Sequence, residues 1–144
     1  MNRNAFPITI CGDDTAERIP ADFPFAWAKA TLEQYLDFRK FYYGDFYPLS
    51  EYSQVPTAWV VYQLDRSDLG AGLIVALRRP GSPYETARFS LRGLEPNASY
   101  EVTNLDSKER TVSSGGELGK EGLSIHLATR PDSSLFLYRR SGGP

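Results

Sequence analysis

The 144-residue sequence has one cysteine, Cys11, and one histidine, His126. A single cysteine excludes an intramolecular disulfide and a thiolate metal cluster, and suits a reducing cytoplasm. A single histidine among scattered acids has no ligand spacing that would select a transition metal, and no cofactor is expected. No apolar run approaches the roughly 18 residues of a membrane span. The opening MNRN is not followed by an apolar stretch with a small-residue cleavage site, so no signal peptide is evident. Neither sign of charge dominates: 16 basic against 18 acidic side chains leave a net −2. No basic patch is implied, and neither nucleic acid nor a membrane is an expected partner. The chain is also far short of the about 250 residues of a (β/α)8 barrel.

What is present is enough apolar material for an ordinary core, with 41% hydrophobic and 13% aromatic residues. Residues 6–11 (FPITIC) read as a short buried strand, with Pro7 near its start, followed by a turn at 12–14. Residues 24–42 read as the one substantial helix. Asp22 is its expected N-cap, Pro24 lies in its first turn, and Gly44 is its C′ residue. Ala28, Leu32, Tyr35, Leu36 and Tyr42 recur near helical spacing, with Trp27, Thr31 and Phe38 on the shoulders. Such an aromatic helix wants apolar cover on more than one side.

After Pro56 the pattern changes to strands: 57–64, 72–79, 85–91, 99–102, 110–112, 123–127 and 135–138. Turn signals separate them at 67–70 and 80–83. Asn97-Ala98-Ser99 has the form of a glycosylation sequon but reads as the turn before a strand. Residues 141–144 read as a disordered end. The expected fold is mainly β, an antiparallel Greek-key-like β-sandwich of seven or eight strands with one N-terminal α-helix. Two regions are expected: 1–55, with strand, helix and aromatic loop, and 56–140, the sandwich. The expected core is Trp59, Val61, Leu73, Val75, Phe89, Leu91, Val102, Ile125, Leu127, Phe136 and Tyr138.

Two segments carry a resemblance. One is YYGDFYPL (42–49), followed by Tyr52-Ser53, Trp59 and Gln63-Leu64-Asp65-Arg66. The other is LRGLEPNASYEVTNLD (91–106), continued by Gly116-Glu117-Leu118, Gly122-Leu123 and SSLFLY (133–138). Over residues 22–140 the chain resembles the C-terminal region of bacterial α-galactosidases (melibiases) of glycoside hydrolase family 36. The resemblance implies that 6–12 derive from the last barrel strand, 24–42 from the last barrel helix, and 56–140 from the C-terminal sandwich. It also implies that the two catalytic aspartates, a nucleophile and an acid/base, belong to upstream barrel segments. Neither motif occurs here, so the resemblance transfers no catalytic residue. It leads us to expect a fragment without its catalytic domain.

Candidate chemistry is sparse. Retaining glycosidases use two carboxyl groups about 5–5.5 Å apart. The adjacent pair Asp13-Asp14 reads more simply as a solvated or capping turn. Tyr43, Asp45, Phe46 and Tyr47 are candidate carbohydrate contacts, aromatic rings stacking on a sugar and Asp45 bonding its hydroxyls. The competing reading has this loop, Tyr42 included, packing the sandwich against a barrel. Any Ser-His-Asp site must use His126, which strand alternation places beside Ser124 on the outward face, with Asp132 near in sequence. No Gly-x-Ser-x-Gly elbow supports it. Gly70-Ala71-Gly72 and Gly115-Gly116 read as hairpin-like turns not followed by a helix, which excludes a phosphate cradle. Trp27 and Trp59 read as core or interface anchors.

The leading functional expectation is a non-catalytic accessory domain of an α-galactosidase-like glycoside hydrolase. The alternatives are a carbohydrate-binding module and a small esterase-like hydrolase using His126. A homo-oligomer through the helix and the aromatic loop is the expected assembly.

Overall fold

A computed structural model describes residues 22–142. The expected strand at 6–11, Asp13-Asp14, Cys11 and the last two residues lie outside them. Within the described residues, helix α1 (Phe25–Phe38) runs into a 3-10 helix (Arg39–Tyr43). Strands β1 (Asp45–Pro48), β2 (Trp59–Arg66), β3 (Ala71–Arg78), β4 (Thr86–Phe89), β5 (Ser99–Asn104) and β6 (Arg110–Ser114) follow. A short helix α2 (Gly115–Lys120), β7 (Leu123–His126) and β8 (Asp132–Arg140) complete the fold.

Six strands form one antiparallel sheet in the order β1-β2-β3-β8-β5-β6, and β4 pairs with β7 in a second, two-stranded sheet. β4 leaves the large sheet and β8 returns between β3 and β5, which gives the Greek-key-like sandwich. Its core lies between the sheets: Ile125, Leu127, Ala87 and Phe89 meet Val61, Ile74, Ala76, Val102, Phe136 and Tyr138. Leu118 of α2 closes one end of this cluster. β3 (AGLIVALR) is almost wholly buried because its other face is covered too. There Leu64, Ala71, Leu73 and Val75 pack with Phe38 and Phe41 from the helical segment.

Ten of the expected core residues are buried, and Phe89 is half-buried against the same cluster. Leu73 and Val75, however, face the helix and not the inter-sheet core. The outward positions Ser124, His126 and Ala128 are exposed, as alternation requires.

Several local expectations are corrected. Regular α-helix stops at Phe38, not at 42. The 3-10 continuation has three residues per turn, so Phe38 and Phe41 eclipse and both reach the sheet. Asp22 does not cap α1. The N-cap is Pro24, without a side-chain cap, and its carbonyl accepts the Ala28 N–H at 3.0 Å. Gly44 ends the helical segment in an extended conformation (φ −94°), so it is no left-handed C′ residue. Its glycine identity follows from space: a Cβ there would collide with the Asp65 carbonyl of β2. The aromatic loop is an edge strand, β1. Gly115-Gly116 open a helix, because Ser114 and Glu117 build a capping box around its first turn.

Candidate functional site

The 3-10 helix and β1 display the aromatic residues singled out in the sequence. β1 pairs antiparallel with β2, setting Asp45 opposite Asp65, Phe46 opposite Leu64, and Tyr47 opposite Gln63. Alternation then puts Asp45 and Tyr47 on the face toward the inter-sheet core, and Phe46 on the face toward α1. Phe46 packs over Tyr62 with ring centroids 5.4 Å apart. Tyr43 precedes the strand and is 85% exposed; Phe46 is 60% exposed. The four candidate contacts are therefore neighbours in the chain, but Tyr43 lies before the edge strand and the other three divide between its two faces.

Behind Phe46 sits a group of phenols. Burial pushes the Tyr42 hydroxyl up to about 12, with Tyr62 and Tyr35 adding to the shift. Along α1, the exposed Phe25, Leu32 and Leu36 recur on one side. An apolar stripe thus leads down α1 to the Tyr42–Tyr62–Phe46 group. Trp27 is half-buried on α1, and its carbonyl accepts the Thr31 hydroxyl at 2.9 Å.

On the opposite face of β1–β2 lies a buried polar network. Gln63 Nε2 donates to the Arg92 carbonyl and to Tyr138 Oη, each at 2.8 Å. The Arg92 N–H returns to Gln63 Oε1 at 2.9 Å. The Tyr138 hydroxyl donates in turn to Asp65 Oδ1. Gly72, opposite Tyr138 on β3, leaves the room that a Cβ would take from the phenol. Asp65 is 4% exposed. Burial raises its pKa; the Tyr138 hydrogen bond opposes this, and the nearby Asp45 and Asp68 carboxylates reinforce it. The Tyr138 phenol is pushed up strongly by burial and by the carboxylate it serves. The network ties β2, β8 and the loop at 92 together. Sequence reading missed it, although alternation from Trp59 and Val61 carries Gln63 and Asp65 to the same inward face.

A second unforeseen group is Arg78, 3% exposed. Its guanidinium donates to the carbonyls of Leu127 (2.6 Å), Ala128 (3.1 Å), Thr129 (3.2 Å) and Ser82 (3.1 Å). Ser82 also accepts the Trp59 indole N–H at 2.9 Å, which supplies the partner a buried tryptophan needs. Arg78 and Trp59 therefore hold the 79–84 and 127–131 loops on one end of the sandwich.

His126 is exposed on β7. Its Nδ1 lies 3.0 Å from Thr86 Oγ1. Asp132 is committed elsewhere, accepting from the Thr129 hydroxyl (2.7 Å) and the Ser133 N–H (2.8 Å). No carboxylate among the described residues hydrogen-bonds the imidazole, so the Ser124–His126–Asp132 constellation is not assembled. No group of three or more metal-ligating side chains occurs among the described residues. No helix among them is long and apolar enough to cross a membrane.

The fold has clear counterparts among solved structures. The α-galactosidase from Lactobacillus brevis superposes with a TM-score of 0.67 at 17% identity, covering 89% of this chain and 18% of that one. The GH36 α-galactosidase AgaB from Geobacillus stearothermophilus gives 0.62 at 24% identity, over 81% of this chain and 16% of that one. A variant of AgaA from the same organism, in complex with raffinose, gives 0.66 at 21% identity over the same shares. The chain thus spans less than a fifth of the length of these enzymes. No curated protein matches it. Residues 56–138 match the glycosyl hydrolase family 36 C-terminal domain. That match takes in every strand from β2 to β7 and most of β8, so the chain belongs to the family of glycosyl hydrolase family 36 C-terminal domains.

Proposed function

We propose that this chain is a non-catalytic accessory domain of an α-galactosidase-like glycoside hydrolase. Its α1–β1 surface is the seat for a catalytic barrel. The observation that carries this reading is the family match over 56–138 together with an exposed apolar surface on the described segment that precedes it. Phe25, Leu32, Leu36, Tyr43 and Phe46 are all exposed there. A surface helix and edge strand with this much exposed apolar area favour a partner.

In the isolated chain a second copy covers the same surface, giving a symmetric dimer or a larger assembly. Light scattering across a concentration series tests this. The expected result is association that is lost in Leu32→Glu and in Phe46→Glu. Both side chains are half-exposed or more (51% and 60%), so neither change disturbs the core. A monodisperse monomer at high concentration contradicts the assignment of this surface.

The carbohydrate-binding reading loses its simplest support, because Trp59 is buried and engaged with Ser82. The esterase-like reading lacks the orienting acid that a Ser-His-Asp site needs.

A further inference from the structure

The two-stranded sheet is too narrow to cover the six-stranded one. It shields β2, β3, β8 and β5 but leaves β6 largely open, and β6 is an edge strand, at the end of the sheet opposite β1. On β6 the residues that share the inward face with Val102 and Tyr100 are Thr111 and Ser113. Hydroxyl side chains thus stand where a covered strand would carry apolar ones. The result is an open groove of about 580 Å³ between β7 and the β5–β6 hairpin. Its floor is apolar, from Val102, Leu123 and Phe136, and its walls are polar.

We propose that this groove is a binding site for a short neutral saccharide, a role beyond the accessory function. Three features argue for that ligand class. First, the walls combine one guanidinium, Arg88, with one carboxylate, Glu109. An anionic ligand would meet the second and a cationic ligand the first. Both planar groups suit vicinal hydroxyls, and neither has a side-chain partner among the described residues. Second, the neutral groups both donate and accept. The Thr111 and Ser113 hydroxyls are uncommitted. Asn104 Oδ1 already accepts the N–H groups of Asp106 (2.8 Å) and Ser107 (3.2 Å) and the Ser134 hydroxyl (3.1 Å), so its NH₂ is the group left to donate. Third, the edge of β7 adds main-chain groups. The Leu127 N–H bonds Glu85 O at 2.8 Å, so odd-numbered residues of β7 serve the β4 ladder. The main-chain N–H and C=O groups of Ser124 and His126 are left at the open edge. An apolar floor with a few convergent polar groups is the usual form of a small-molecule site.

The test is an amide NMR titration of the whole chain with raffinose and, separately, galactose. The expected result is saturable shifts at Thr111, Ser113, Ser124 and His126. Arg88→Ala should weaken binding about tenfold, the scale of one lost hydrogen bond to a charged group. Arg88 is exposed, so the variant keeps its fold. Tyr43→Ala should leave the affinity unchanged. No saturable shift overturns the proposal, as does binding unaffected by Arg88→Ala or confined to residues 43–47. These readouts are separate from the association test, so a monomeric chain could still show the site, and an associating chain could lack it.

Discussion

Asp65 has the costliest environment of any carboxyl group in the described structure. It lies directly across from Asp45, is 4% exposed, and has the Tyr138 hydroxyl as a neutral donor. Like charges opposite one another on a sheet destabilise it, and burial adds to the penalty on the ionised form. The Asp65 pKa is therefore raised above that of the unfolded chain. A carboxyl group shifted upward stabilises the fold fully below its unfolded pKa. That stabilisation disappears as the pH climbs through the folded value. Asp65→Asn keeps an oxygen to accept from Tyr138 and turns an NH₂ group toward Asp45. Urea unfolding at a series of pH values should show the variant at least as stable as the parent at pH 7. The advantage should shrink as the pH falls through the raised Asp65 pKa and be gone once the pH is below the ordinary carboxylate range. A variant that is less stable at pH 7 would mean that the ionised Asp65 has a favourable partner.

At the scale of elements, α2 shows how a local device overrides composition. Two glycines make Gly115-Gly116 a poor helix start, yet the Ser114 hydroxyl accepts the Glu117 N–H at 3.1 Å. Glu117 Oε2 accepts the Ser114 N–H at 2.8 Å and the Ser114 hydroxyl at 2.9 Å. These bonds hold the Glu117 carboxyl below its ordinary pKa. Their contribution is present above the unfolded pKa and is lost as the pH falls through the folded one. Ser114→Ala should cost about 1 kcal/mol and speed amide exchange at 117–122, with β2 and β3 unaffected. Unchanged exchange would show that Leu118 burial alone holds α2. The S-x-x-E signature at 114–117 stands in the sequence, but reading Gly115-Gly116 as a hairpin-like turn passed over it. β1 was hidden for a different reason. Gly44 and Pro48 bracket it like turn residues, and only pairing with β2 makes it a strand. Pro48 suits an edge, where a missing N–H costs nothing. The strands from β2 onward were legible because their alternation and turn residues are local. The boundary of α1 was not, since the change to 3-10 geometry serves contacts of Phe38 and Phe41 with distant strands.

At the scale of the whole molecule, a six-stranded sheet is covered on one face by β4–β7 and on the other, in part, by a helical segment. The insertion of β8 between β3 and β5, the Gln63–Asp65–Tyr138 network and the Arg78 cage all join residues far apart in sequence. No local pattern announces such pairings. The candidate site was legible only as a list of aromatic residues, because the division of β1 between two faces depends on its register with β2. The architecture is organised around rigid packing at its centre and an apolar surface at its N-terminal side, which is the form expected of a domain that supports chemistry carried elsewhere. The most direct test is a turnover screen of the purified chain with chromogenic α-galactosides and short-chain esters, with His126→Ala in parallel. The account predicts no hydrolysis of either substrate class by either protein. Galactoside turnover, or ester turnover that disappears with His126, would contradict it and give this domain a chemistry of its own.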